Sequence, residues 1–153
     1  MILINYKAYR KATGNNTESL TEKIEAAAEK TEKEIAVTPQ TADLNRVNSE
    51  ELQLFSQHVD PVDTGSHTGS NQIKAVKDSG ATGTLINHSE KRLDSDKIRK
   101  TVEICDENDI TTVVCAQTPK ECEKYADFNP DYIAFEPPEL IGGDVSVSKS
   151  EPE

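Results

Sequence analysis

The chain has 153 residues, the length of one ordinary domain. It carries 28 acidic residues against 17 basic ones, a net charge of -11, the wrong sign for a protein that grips a nucleic-acid backbone. No apolar run is long enough for a membrane-spanning helix, the first residues lack the basic start and long apolar run of a secretory signal, and the three cysteines show no paired spacing. A cytoplasmic protein with reduced thiols, bound neither to nucleic acid nor to membrane, is the expectation.

In chain order, short runs rich in Ile, Val and Leu alternate with amphipathic stretches. Strands are expected at residues 2–5, 35–38, 54–57, 84–87, 112–115 and 132–135. None alternates cleanly, as in parallel strands covered on both faces. The first helix, 17–33, carries Leu20, Ile24, Ala27, Ala28 and Thr31 at helical spacing. A shorter, weaker helix carries Leu44 and Val47. The next, 70–79, carries Ile73 and Val76 and stops at Gly80. Residues 94–109 carry Ile98, Val102 and Cys105. Thr118-Pro119-Lys120-Glu121 is a capping box with proline at the first helical position, and Cys122 and Tyr125 lie on the inner side of the helix it opens. Ser148-Lys149-Ser150-Glu151 has the form of another capping box.

Strict alternation of strand and helix with short loops implies a parallel sheet. Two architectures compete, an open doubly wound sheet and a closed barrel of eight strands. The open sheet wants a glycine-rich phosphate turn after the first strand. Asn5-Tyr6-Lys7-Ala8-Tyr9 has no glycine, and no Walker-type phosphate loop occurs. Polar residues collect after the strands instead: Asn5 and Lys7, Gln57 and His58, Asn87 to Glu90, and Glu136. In a barrel that end carries the chemistry.

Four of these segments resemble one family. Asn5-Tyr6-Lys7, Gly65-Ser66-His67-Thr68-Gly69, Asn87-His88-Ser89-Glu90-Lys91-Arg92 and Phe135-Glu136-Pro137-Pro138-Glu139-Leu140-Ile141-Gly142 fall in the order and at the spacing of triosephosphate isomerases, most like the shorter archaeal form. The resemblance implies an α/β fold, the (β/α)₈ TIM barrel. Residues 1–153 would form a single incomplete barrel domain of about six βα units, with strands seven and eight absent. It implies an aldose–ketose isomerase of glycolysis and gluconeogenesis, interconverting dihydroxyacetone phosphate and D-glyceraldehyde 3-phosphate through an enediolate. It implies no cofactor and no metal.

The same resemblance distributes roles. A lone glutamate in a proline-rich loop is ordinarily a surface acid. Here Glu136 becomes the catalytic base, its exit stiffened by Pro137-Pro138. His88 becomes the group that donates an N–H to the developing enediolate oxygen, and Ser89 to Arg92 are expected to open a short helical turn aimed at it. Lys7 would attract the anionic substrate and stabilise charge on oxygen. Asn5, Tyr6, Ile141 and Gly142 would contact substrate, with Asn5 orienting Lys7, and Glu90 would pair with a cation in the site. His67 and Thr68 would reach a neighbouring subunit of a homo-oligomer, a tetramer as in the archaeal form or else a dimer. Residues 136–149 resemble the family's mobile lid. Its Gly-Thr-Gly tip is here Gly142-Gly143-Asp144, and the aspartate removes φ freedom and adds charge near a phosphate dianion.

Two other readings stay open. One is a catalytically dead fragment or pseudo-enzyme acting as a binding or assembly module. The other is a different barrel enzyme for a phosphorylated sugar. Lys7, His88 and Glu136 together argue against both. The missing phosphate-binding loops and Asp144 favour the first for the chain alone, which is expected to be inactive and prone to associate through its sheet edges.

Overall fold

The computed structural model describes residues 1–138. Six strands, β1 (Ile2–Asn5), β2 (Ile35–Thr38), β3 (Leu52–Ser56), β4 (Gly83–Ile86), β5 (Thr111–Ala116) and β6 (Tyr132–Phe135), form one sheet in sequence order. Every pairing is parallel. The helices are α1 (Asn16–Thr31), α2 (Ile73–Asp78), α3 (Ser95–Asp106) and α4 (Pro119–Ala126).

Several boundaries depart from the sequence expectation for local reasons. Between β2 and β3 the short helix expected around Leu44 and Val47 is a 3₁₀ segment, Thr41–Arg46, that carries Leu44 and stops before Val47. Asp43 inside it accepts from Gly14 N–H at 2.9 Å and pairs with Arg46 at 3.2 Å, so its side chain holds the backbone in a local turn. Helix α2 starts at Ile73 instead of residue 70, because the preceding backbone is engaged elsewhere. Asn71 O accepts from Asp60 N–H at 2.8 Å, and Gln72 forms a bridge to Asp60. Helix α1 ends at Thr31, with Glu32 in the left-handed region at φ 53°. Asp94 is the cap of α3 and accepts from Lys97 N–H. Thr118 caps α4 through Glu121 N–H at 3.1 Å, while Glu121 reaches back to Gln117 N–H at 2.8 Å, one residue earlier than in the usual box.

Successive strand residues point to opposite faces of the sheet. Val37 and Leu54 pack with Ile24 and Ala28 of α1 and with Ile73 and Val76 of α2. Ile86 and Val114 pack with Ile98 and Val102 of α3 and Tyr125 of α4. The alternate set, Ala36, Phe55, Leu85, Val113 and Cys115, gathers with Leu3 and Ala134 in a cluster built from strand residues alone. The described helices therefore cover one face. A doubly wound sheet has helices on both faces and reverses its strand order partway. This sheet does neither, and its second face is lined as a barrel interior is lined. Burying each large aliphatic side chain contributes roughly 1.5–3 kcal/mol against the entropy of ordering it.

Gly83 makes that interior fit. It pairs with Phe55 across β3 and β4, and a Cβ on it would lie 2.5 Å from the Phe55 ring. Ile2 on β1 and Tyr132 on β6, at the two ends of the sheet, are among the exposed large hydrophobics.

Candidate active site

Asn5 closes β1, and its Oδ1 accepts from Lys7 N–H at 2.9 Å. That bond turns the chain sharply, and Lys7 adopts φ 49°, an unusual value for a long side chain. The Lys7 carbonyl accepts from Gln57 Nε2 at 3.0 Å, and the same amide donates to Thr38 O at 3.0 Å. Lys7 Nζ lies 3.1 Å from Glu90 Oε1. Glu90 is mostly exposed, so this pair contributes little to stability and chiefly aims the ammonium.

Tyr6 requires a correction. It was expected to contact substrate, yet its side chain is 2% exposed and its hydroxyl shares a 2.9 Å hydrogen bond with Thr21 on α1. It turns away from Asn5 and Lys7 into the core, and burial pushes its pKa up.

His88 follows β4 by two residues and is buried. Where a short helical turn is expected, Ser89 and Glu90 form a single turn, with Lys91 N–H donating to His88 O at 2.7 Å. Glu90 N–H donates to His88 Nδ1 at 3.2 Å. A ring nitrogen that accepts cannot carry the proton, so the N–H sits on Nε2. Nε2 lies 3.8 Å from Glu136 Oε1.

Glu136 leaves β6 with its N–H bonded to Ala116 O at 2.8 Å. Its Oε2 is buried and has no hydrogen-bond partner among the described residues. Cys115 lies next to it, and burial together with the Glu136 carboxylate pushes the thiol far above its ordinary pKa. Lys7, His88 and Glu136 all line one hollow of about 260 Å³ on the strand-only face of the sheet. A second hollow, about 330 Å³, is lined by Lys7, His88 and Glu90 together with Gln57 and His58. A larger one, about 410 Å³, lies apart from these groups near Thr41 and Asp63.

Residues 1–153 match the family model described as triosephosphate isomerase. The chain belongs to the triosephosphate isomerase family. A triosephosphate isomerase of Methanothermus fervidus is 41% identical over 154 residues, covering 100% of this chain and 69% of that protein. One of Methanosarcina acetivorans is 44% identical over 153 residues, covering 99% and 69%. A crystal structure of triosephosphate isomerase from Bartonella henselae superposes with a TM-score of 0.70 at 20% identity, over 89% of this chain and 67% of that one. The fold is therefore that of a TIM barrel, represented here by six parallel strands.

Of the family's expected positions, the structure brings Asn5, Lys7, His88, Glu90 and Glu136 together. His67 and Thr68 lie exposed in the loop between β3 and α2. Ile141, Gly142, Asp144 and most of the expected lid lie outside the described residues. No helix among the described residues is long and apolar enough to cross a membrane.

Three further polar groups beside strand ends carry no role that the family resemblance implies. Gln57 holds the Lys7 backbone, and Asn87 is buried beside His88. His58 is buried against Asp60 at 3.1 Å, with Lys97 at 3.0 Å from the same carboxylate oxygen. Each is a polar residue next to a strand end. Position alone does not tell whether such a side chain faces the site or braces it.

Proposed function

We propose that the protein is a triosephosphate isomerase, interconverting dihydroxyacetone phosphate and D-glyceraldehyde 3-phosphate in glycolysis and gluconeogenesis. The observation that carries this reading is the meeting of Glu136, His88 and Lys7 on one hollow, with His88 Nε2 3.8 Å from Glu136 Oε1. Glu136 takes a proton from the carbon next to the substrate carbonyl. The electron pair moves onto the carbonyl oxygen, which His88 Nε2–H meets as charge builds. The carbonyl oxygen gains a proton, the neighbouring hydroxyl loses one, and Glu136 returns its proton to the adjacent carbon. Such proton transfer by a positioned group contributes roughly 10²–10⁴-fold in rate. The Lys7 ammonium favours the anionic substrate and the oxyanion, in a site where preorganised charge is most effective. Neither metal nor cofactor enters this sequence of steps.

Ile141 and Gly142 are assigned to substrate binding, the Gly142 N–H to the phosphate, and Asn5 orients Lys7 and the substrate. His67 and Thr68 contact a second copy in a homo-oligomer. The protein works in the cytoplasm, consistent with its charge and unpaired thiols.

A coupled assay with dihydroxyacetone phosphate tests the reading on a parent in which the chain is joined to the remaining C-terminal part of a relative such as the Methanothermus fervidus enzyme, of which it spans 69%. Turnover in the parent that Glu136→Gln abolishes is the expected result. A parent without turnover, or a Glu136→Gln variant as fast as the parent, would reject it in favour of a binding or assembly module.

A further inference from the structure

Asn87 follows β4 directly and precedes His88. Its φ of 63° is left-handed, a conformation that asparagine tolerates better than most side chains. The residue is 1% exposed, so both ends of its carboxamide need partners inside the protein. Nδ2 donates to Cys115 O at 2.9 Å, and Oδ1 accepts from Leu93 N–H at 2.9 Å.

These two bonds do different things. The last ladder pair between β4 and β5 is Ile86 with Val114. The bond to Cys115 O continues the tie between the strands one residue further, after the β4 backbone has turned away. The bond to Leu93 closes residues 88–93 into a short loop. Within that loop, Glu90 N–H reaches His88 Nδ1 and Lys91 N–H reaches His88 O. Cys115 is also the residue whose thiol lies beside the Glu136 carboxylate. One side chain thus links the loop that carries His88 to the strand position that abuts Glu136.

The left-handed backbone alone does not account for asparagine here. Glycine would adopt the same φ without strain. What glycine lacks is the pair of hydrogen bonds. We propose that Asn87 is a positioning residue that sets the His88 ring against Glu136, keeping Nδ1 as the acceptor from Glu90 N–H and Nε2 turned toward the carboxylate. Its kinetic consequence rests on the isomerase reading above, and its geometric consequence does not.

The test uses the full chain with Asn87→Gly and Asn87→Asp. Glycine keeps the backbone and deletes both bonds. Aspartate keeps the acceptor for Leu93 N–H and loses the donor to Cys115 O. The ¹⁵N shifts of the His88 ring, assigned apart from His58 and His67, report which nitrogen carries the proton. The parent should show Nε2 protonated and Nδ1 bare. Asn87→Gly should show a ring averaging between tautomers, with Asn87→Asp between the two. On substrate, kcat of Asn87→Gly should fall roughly 10- to 100-fold, the scale of a small misplacement, with KM within about twofold.

Folded variants that keep the parental ring pattern overturn the proposal, even if they melt earlier. So does a failure of both variants to fold, which would make Asn87 a structural brace and nothing more. If the parent turns over no dihydroxyacetone phosphate, the isomerase reading falls, while the ring shifts still decide the role of Asn87.

Discussion

The side-chain amide of Gln57 donates to the carbonyl of Lys7 at 3.0 Å, and Lys7 sits at φ 49°. A lysine in that region carries strain of order 1–3 kcal/mol and persists only where its surroundings hold it. Asn5 holds the N–H side of Lys7 and Gln57 the carbonyl side. The ammonium is thereby directed to Glu90 and the hollow beside it by bonds to the backbone, before any contact made by the side chain itself.

Replacing Gln57 should release that clamp. Gln57→Leu is similar in size but leaves the Lys7 carbonyl without this donor. The expected loss is about 1–3 kcal/mol of stability. A roughly tenfold drop in kcat/KM should accompany it as Lys7 wanders. Denaturant melts and a coupled assay measure the two. If both match the parent, the Lys7 turn is self-sustaining and Gln57 has no part in it.

Glu136→Asp tests the base. The substitution draws the carboxylate back by one methylene, on the order of 1 Å, and misplacement on that scale costs about 10²-fold in rate. The loss should fall on kcat, since the change is confined to the group that moves the proton. A kcat within twofold of the parent would remove Glu136 from that role.

The barrel interior makes a prediction about packing. Gly83→Ala would place a methyl 2.5 Å from the Phe55 ring, and Phe55 is fully buried. Overpacking of this kind costs about 1–3 kcal/mol. Phe55→Leu in the same chain should recover part of the loss, because the two positions share one space. Strictly additive effects in the double-mutant cycle would show that they do not meet.

Acid stability should depend on Asp60. Burial opposes its ionisation, yet hydrogen bonds from Asn71 N–H, Lys97 and His58 bring it down from the ordinary 3.8 to about 2. A carboxylate lowered in the folded state stabilises that state above its ordinary value. The contribution, at most about 2 kcal/mol, is lost as the pH falls from about 4 toward about 2. His58 acts at higher pH. Burial lowers it against the pull of Asp60, so stability starts to fall as the pH drops below 6.5. In Asp60→Asn the lower limb of the stability curve should flatten. Denaturant melts across that range would reject the account if the limb stayed parallel to the parent's.

Much of the candidate site was legible because it lies in short linear segments. Asn5-Tyr6-Lys7, Asn87-His88-Ser89-Glu90 and Glu136-Pro137 each follow an apolar strand. The direction of individual side chains within them was not legible. Tyr6, between two site residues, faces the core because successive side chains leave a strand on opposite faces. Gln57 and Asn87 are polar residues at strand ends, like the reactive ones. Their bracing partners lie 50 and 28 residues away, at Lys7 and Cys115.

From the sequence alone followed the alternation of strand and helix, the parallel sheet and the family, since these rest on local composition and on the order of segments. The length and kind of the weaker elements did not follow. The 3₁₀ turn at Thr41–Arg46 and the late start of α2 depend on Gly14 and Asp60, distant residues that claim the backbone or side-chain bonding groups. The tertiary structure alone decided the tautomer of His88, the left-handed turn at Lys7 and the fit of Gly83 against Phe55. Gly83 meets Phe55 and Gln57 holds Lys7 across distant stretches of the chain, while the His88 tautomer depends on the fold of a turn that brings Glu90 N–H to its ring. A hydrogen bond or a steric limit acts on distance in space, which residue order does not contain.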